Sequence, residues 1–205
     1  MKAGLSRNLV LGTARELVLR EGIDALSMRR LGELLGVEAM ALYRHVRNKE
    51  ELLDALRDEV IIPVAQIRRG RTWRSELRLL AHASRDALRR SPSLAPLFAT
   101  RPALTESTLP LAERVIAALA DAGLPRSRQL GAYESLLAFV VGHVLIEIGL
   151  ASHDPQTLSI HPDLHPHLTA LSKTFATHSS DASFDSGLEL LLHGIERMVT
   201  AAKSS

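Results

Sequence analysis

No cysteine occurs in the 205 residues. That absence excludes disulfides, thiolate catalysis and cysteine-bearing metal sites, and it fits a reducing compartment. Aromatic residues make up only 3% of the chain. The side chains that enrich strands are therefore scarce, whereas Leu, Ala, Arg and Glu favour helix. An excess of one charge is also lacking: 25 Lys and Arg face 23 Asp and Glu, for a net charge of +2. The choice of partner must then lie in local distribution, not in the total. Long apolar runs are missing too. The most apolar stretch, Leu136 to Leu150, is broken by His143 and Glu147 and falls short of the roughly 18 to 20 residues a membrane span needs. The N-terminus runs straight into an amphipathic pattern without the apolar core of a signal peptide. The expectation is a soluble, cytoplasmic protein with no membrane partner. No Gly-rich phosphate loop and no defensible Ser-His-Asp order occurs, so no enzyme activity, catalytic residue or cofactor is assigned.

What is present is helical periodicity, in a chain long enough for a sizeable core. Leu9, Val10, Ala14, Leu17 and Val18 repeat at helical spacing, and Gly22 ends that run. Ser27 stands where an N-cap belongs, ahead of a short helix over 28–35 with Leu31, Leu34 and Leu35 facing inward. Gly36 stops it, Val37 returns to the core, and a second short helix is predicted over about 38–46. Asn48 caps the next helix, with Glu51 placed to close a capping box, and this helix runs to about Pro63. The connector Arg68-Arg69-Gly70-Arg71 reads as a boundary. Beyond it, helices are predicted at about 73–90, 93–100, 106–122, 126–152, 163–178 and 184–203, the last with Leu188, Leu191, Leu192, Ile195, Met198 and Val199 on one face. The fold class is all-α: a three-helix N-terminal domain over 1–60 with a helix-turn-helix at about 27–46, and a larger helical domain over 61–205.

Two short helices around a glycine form a corner found in many proteins. The make-up of the second helix sharpens the reading, because a helix can enter the major groove of DNA. Leu42 and Val46 share its inward face and leave Glu38, Ala39, Met40, Ala41, Tyr43, Arg44 and His45 outward or sideways. Small and apolar residues at its start suit thymine methyls, and Arg44 suits a guanine edge. Tyr43, His45 and Lys49 suit phosphate oxygens. Glu38 either answers the helix dipole or selects against a base. Arg68, Arg69 and Arg71, with Arg74 and Arg78, read as a DNA-facing patch or as a solvated linker and helix start. His153, His161, His165 and His167 with Asp154 and Asp163 match no structural zinc spacing, and no metal is assigned.

The run SMRRLGELLGVEAMALYRHVRNKEELLDAL, from Ser27 to Leu56, resembles nearly position by position the DNA-binding domain of the tetracycline repressor (TetR) family. Tyr43 to Lys49 is its most specific part, and the likeness is tight over about 7–60. The resemblance implies a DNA-binding set of Ser27, Arg29, Glu38, Ala39, Met40, Ala41, Tyr43, Arg44, His45 and Lys49. Arg29 would touch base or phosphate, and Lys49 would hold the backbone. Thr100-Arg101-Pro102, the 133–142 segment and the 187–196 segment resemble that subgroup's C-terminal domain. The tetracycline-binding members carry a magnesium-chelating histidine where Leu97 stands here, so no magnesium ligand is carried over and tetracycline is not the expected inducer. The resemblance implies a homodimer joined through its C-terminal helices, a repressor released from a palindromic double-stranded operator by a small molecule. Polar or aromatic residues on otherwise apolar helices, His82, Phe98, Arg101, Tyr133, Glu134, His143 and Glu147, are the candidate effector contacts. Two rivals stay open: a helical enzyme or carrier that keeps the corner without using it, and a protein-interaction adaptor.

Overall fold

A computed structural model describes residues 4–151, 161–171 and 179–203. Among them the regular elements are all helical: α1 Arg7–Glu21, α2 Met28–Leu35, α3 Ala39–Leu42, α4 Lys49–Ala65, α5 Trp73–Arg90, α6 Pro96–Thr100, α7 Leu109–Asp121, α8 Arg126–Ala151, α9 Pro166–Ala170 and α10 Ser180–Lys203. Short 3-10 turns at Ile23–Ala25 and Pro92–Leu94 join them. One local device starts four of these helices. The side chains of Ser6, Ser27, Asn48 and Thr72 each accept a hydrogen bond from the backbone N–H three residues on, at 3.2, 3.1, 2.8 and 3.2 Å. Each pairs a donor that a helix start leaves orphaned. Gly36, at φ 67°, supplies the left-handed residue that ends α2.

Packing divides the apolar residues into groups that α4 connects. Val10, Ala14, Leu17 and Val18 of α1 meet Leu31, Leu42, Val46, Leu52, Leu53 and Leu56 in an N-terminal core, joined by Leu94 and Leu97 from the segment before and within α6. Leu97 thus packs against the N-terminal helices. A second core gathers Leu77 and Leu88 of α5, Leu119 of α7, Leu136 and Val144 of α8, and Phe184, Leu188 and Leu192 of α10. Ile61 and Val64, on the last turns of α4, pack instead with Leu80 and Ala87 of α5. One helix therefore has its start in the first core and its end against the body.

Several expectations need correction. Leu34 is 40% exposed, because α2 turns Leu31 and Gly32 toward its neighbours. The second short helix is only Ala39–Leu42, continued by a turn in which His45 and Val46 both bond to the Leu42 carbonyl. Glu51 does not bond the Asn48 N–H; its carboxylate reaches one residue further back, to the Arg47 N–H at 2.8 Å. The 163–178 helix is represented by Pro166–Ala170, and 172–178 lie outside the described residues. Finally, α8 spans 26 residues and is, by length and composition, able to cross a membrane, with 22% of its most apolar window buried. The stretch from Leu136 to Leu150 is only the later part of this helix, which begins at Arg126.

Candidate DNA interface and ligand cavity

The corner is held by backbone packed on backbone. Gly32 lies so close to the turn that a Cβ there would stand 2.7 Å from the Val37 carbonyl oxygen and 3.2 Å from the Ala39 nitrogen. The Val37 N–H donates to the Gly32 carbonyl at 3.0 Å. Leu42 and Val46, at 0% and 2% exposure, root α3 and its following turn in the N-terminal core. The opposite side stays open: Met40 is 72% and Tyr43 45% exposed, and Glu38 and Arg44 are exposed as well. Ala39, Ala41, His45 and Lys49 are half-buried. Ser27 is exposed but its hydroxyl is engaged as the cap of α2. The Arg29 side chain stands in solvent, 3.9 Å from Glu33. The ten residues of the predicted set are thus all exposed or half-buried around one corner. Arg47 was not in that set, although it lies inside the Tyr43 to Lys49 run; its guanidinium meets Glu51 at 3.1 Å. The Arg47 N–H foremost, against the opposing effect of burial and with help from the Arg47 and Arg7 side chains, holds the Glu51 carboxyl below its ordinary range.

A cavity opens between α4, α5, α7 and α8, with about 840 Å³ free of protein atoms, its mouth included. Leu77, Leu80, Ala81, Leu111, Leu136 and Val140 give it apolar walls. Its polar groups are Arg57, Ser84, Arg101, Thr108 and Tyr133, and no acidic residue lines it. Of the predicted effector set it brings together Phe98, Arg101 and Tyr133. Burial first, and the Glu134 charge second, push the Tyr133 hydroxyl's pKa up. Arg101 is held on its far side by Glu50 and by Asp54 at 2.6 Å, both on α4.

The other four members of that set do not line the cavity. Glu134 points to solvent. His82, His143 and Glu147 lie on a different face of their helices, toward α10. On α5, residues 77, 81, 84 and 88 face the cavity while 82, 85 and 89 face α10. Periodicity identifies a stripe on a helix but not which neighbour that stripe meets. There, His82 contacts Asp185 at 3.2 Å, His143 contacts Glu147 at 3.2 Å, and Arg85 reaches both Glu147 and, at 2.8 Å, Asp181. Phe184, fully buried, sits beneath the Arg85 guanidinium at 4.6 Å from the ring centroid. Burial pushes the Glu147 carboxyl up, but hydrogen bonds from Arg85 and Ser180 and the nearby positive charges outweigh it, leaving it below the ordinary range. Burial likewise opposes the Arg85 charge, and Glu147 and Asp181 more than compensate.

Arg74 and Arg78 are tied to the body, Arg74 by Glu189 at 2.9 Å and Glu196 at 3.0 Å, and Arg78 by Glu189. Both guanidinium groups are thus paired with carboxylates of α10. Among the described residues no group of three His, Cys, Asp or Glu could hold a metal ion; His153 and Asp154 lie outside them. Sequence reasoning missed three buried arginines, Arg57, Arg114 and the Arg85 described above. Arg114 meets Glu76 at 2.7 Å and donates to the carbonyls of Ala65 and Ile67, fixing the end of α4. Arg57, 2% exposed, donates to the Pro102 carbonyl at 2.9 Å and the Thr105 hydroxyl at 3.2 Å.

Two family models match the chain. One, described as bacterial regulatory proteins of the tetR family, covers residues 10–56. The other, a tetracyclin repressor-like C-terminal domain, covers residues 68–199. An HTH-type transcriptional regulator of Saccharopolyspora erythraea is 32% identical over 204 residues, covering 93% of this chain and 84% of that protein. The tetracycline repressor protein class D of Escherichia coli is 32% identical over 208 residues, covering 97% and 93%. Among solved structures, a possible TetR family transcriptional regulator of Streptomyces coelicolor superposes with a TM-score of 0.81 at 30% identity, covering 94% of this chain and 99% of that one. The apo form of ActR from the same organism superposes with a TM-score of 0.83 at 25% identity, covering 98% and 99%.

Proposed function

The chain belongs to the tetR family of bacterial transcriptional regulators, and from that membership we propose that it is a cytoplasmic homodimeric repressor, without enzyme activity, released from a palindromic operator by a small molecule. In this reading residues 1–60 form the DNA-binding head and 61–205 the ligand-binding and dimerisation body. The observation that carries it is the exposure of one short helix: Met40, Tyr43 and Arg44 stand outward on a segment whose other side, Leu42 and Val46, is wholly buried. A helix rooted so firmly with its polar and small side chains left open suits the major groove.

Pairing through α8 and α10 would set two such helices about one DNA turn, or a small multiple of it, apart. Leu130, Ile146 and Leu150 of α8 and Leu190 of α10 are exposed in the single chain. An added Cβ at Gly131, Gly142 or Gly194 meets nothing within 4 Å, so a second copy can approach closely there. This accounts for the open apolar face of α8 without a membrane, and Glu147 on another face of the same helix is tied to Arg85 of α5.

The cavity is the effector site in this reading. Arg57 and Ile61 place α4 in its wall, and Arg101 ties that wall to Glu50 and Asp54 on the first turns of the same helix, whose first residue is Lys49. An effector that moves the wall therefore moves the helix entering from the recognition segment. It shifts the equilibrium only by as much as it prefers the released conformation. A solved structure of ActR holds a ligand, (S)-DNPA, in support of a small-molecule site on this fold.

Fluorescence anisotropy with a labelled duplex from upstream of the protein's own gene tests the proposal. Tight binding by a dimer is expected, with affinity falling by about a thousandfold or more between roughly 50 and 200 mM salt. A protein that stays monomeric and binds that duplex no better than an unrelated one would refute it.

A further inference from the structure

The lining of the cavity carries positive groups and no negative one. Two guanidinium groups, those of Arg57 and Arg101, belong to the lining, and no carboxylate does. Arg101 is answered from outside the cavity by Glu50 and Asp54. Arg57, whose side chain is 3% exposed, donates through one terminal nitrogen to the Asp58 carboxylate and the Thr105 hydroxyl, each at 3.2 Å, and through the other to the Pro102 carbonyl at 2.9 Å. Asp58 is not part of the lining. The Arg57 Nε is buried and has no acceptor. Buried donors are almost always paired, and the unpaired N–H of a buried guanidinium can receive an oxygen of an anion in a charge-assisted bond.

We propose that the effector is an organic anion: a largely apolar molecule carrying a carboxylate, sulfonate or ionised phenol that docks against Arg57. This rests on the cavity being the effector site. The surrounding Leu and Val side chains take the apolar skeleton, and Ser84, Thr108 and Tyr133 supply further hydroxyls. Low polarity makes the Arg57 charge more effective than it would be in water. A molecule of the same shape without an anionic group forgoes the charge-assisted bond to the Arg57 Nε.

A matched pair of dyes tests this on the full-length protein. The probes are 8-anilinonaphthalene-1-sulfonate and its uncharged analogue N-phenyl-1-naphthylamine, both of which brighten in apolar surroundings. The expected result is that Arg57→Met weakens the sulfonate dye by about tenfold or more, the scale of one hydrogen bond to a charged group, and leaves the neutral dye unchanged. Arg57→Lys, which keeps the charge but not the fork, gives an intermediate loss and decides alone if Arg57→Met does not fold. Equal effects on the two dyes, or none on the sulfonate, overturn the proposal while leaving the cavity reading intact. Ser84→Phe, which fills the cavity, is expected to exclude both dyes. Retention of both dyes by that variant overturns the cavity reading and the proposal with it.

Discussion

Replacing Gly32 by alanine should destabilise this protein and weaken its DNA binding, even though helix propensity argues the other way. In a helix interior Gly→Ala is worth up to about 1 kcal/mol of added stability. At Gly32, however, the new Cβ would stand 2.7 Å from the Val37 oxygen. Ordinary contact begins at 3.4 Å, so the overlap is 3.4 − 2.7 = 0.7 Å. The opposing atoms are backbone, so no side-chain rotation relieves it; the turn and α3 must move. Overpacking of this kind costs about 1–3 kcal/mol, and the net loss is about 0–2 kcal/mol after a propensity gain of about 1 kcal/mol is subtracted. For a chain of this size that lowers the melting temperature by up to roughly 8 °C. Gly12→Ala in α1 is the control, because nothing lies within 4 Å of its Cβ; there the propensity gain of up to about 1 kcal/mol stands unopposed. Thermal unfolding followed by far-UV circular dichroism reads both variants. Anisotropy on the operator duplex should show Gly32→Ala weakened and Gly12→Ala unchanged. Were Gly32→Ala to melt as high as Gly12→Ala and bind DNA normally, the close approach of α2 to the turn would play no part in placing the recognition segment.

The local devices of the N-terminal half were legible because each is written in adjacent residues. A capping side chain and the N–H it pairs lie three positions apart, so Ser27 and Asn48 could be read directly, as could Gly36 at the end of α2. Leu34 misled because an eight-residue helix carries three leucines at helical spacing but meets its neighbours chiefly through Leu31 and the smallest residue available, Gly32. The body was legible as helices and much less as a site. His82, His143 and Glu147 were rightly read as polar residues on apolar helices, yet α5 has two buried faces, and which one borders the cavity depends on packing among distant segments. Arg57 shows the same limit from the other side. Its four-residue spacing from Leu53 and Ile61 puts it on a buried stripe of α4, a signal present in the sequence. The groups that receive it, the Pro102 carbonyl and the Thr105 hydroxyl, are 45 and 48 residues away, and only the fold brings them to it.

Three further expectations follow from named contacts. Tyr43→Ala combined with Lys49→Ala should weaken operator binding and reduce the salt slope by about 1 for the lost phosphate contact, with dimerisation and helicity unchanged; unaltered affinity removes both residues from the interface. Ile146→Arg with Leu190→Arg should place charge on the open face of α8 and α10 and yield a folded monomer by light scattering that no longer holds the operator, whereas a dimer that persists puts the interface elsewhere. Glu147→Gln should destabilise the protein at neutral pH by about 2–4 kcal/mol, because it leaves Arg85 buried with a weaker set of partners. The pH dependence gives this last expectation its sharper form. The folded-state pKa of Glu147 lies below its ordinary value of 4.5, so its contribution is fully present above that value and is lost as the pH falls through the folded pKa. The gap in melting temperature between the native protein and Glu147→Gln should therefore be constant near neutrality and close on acidification below 4.5. A gap that stays the same throughout would mean that the glutamine costs stability through packing alone, and that the Arg85 charge does not depend on its carboxylate partner.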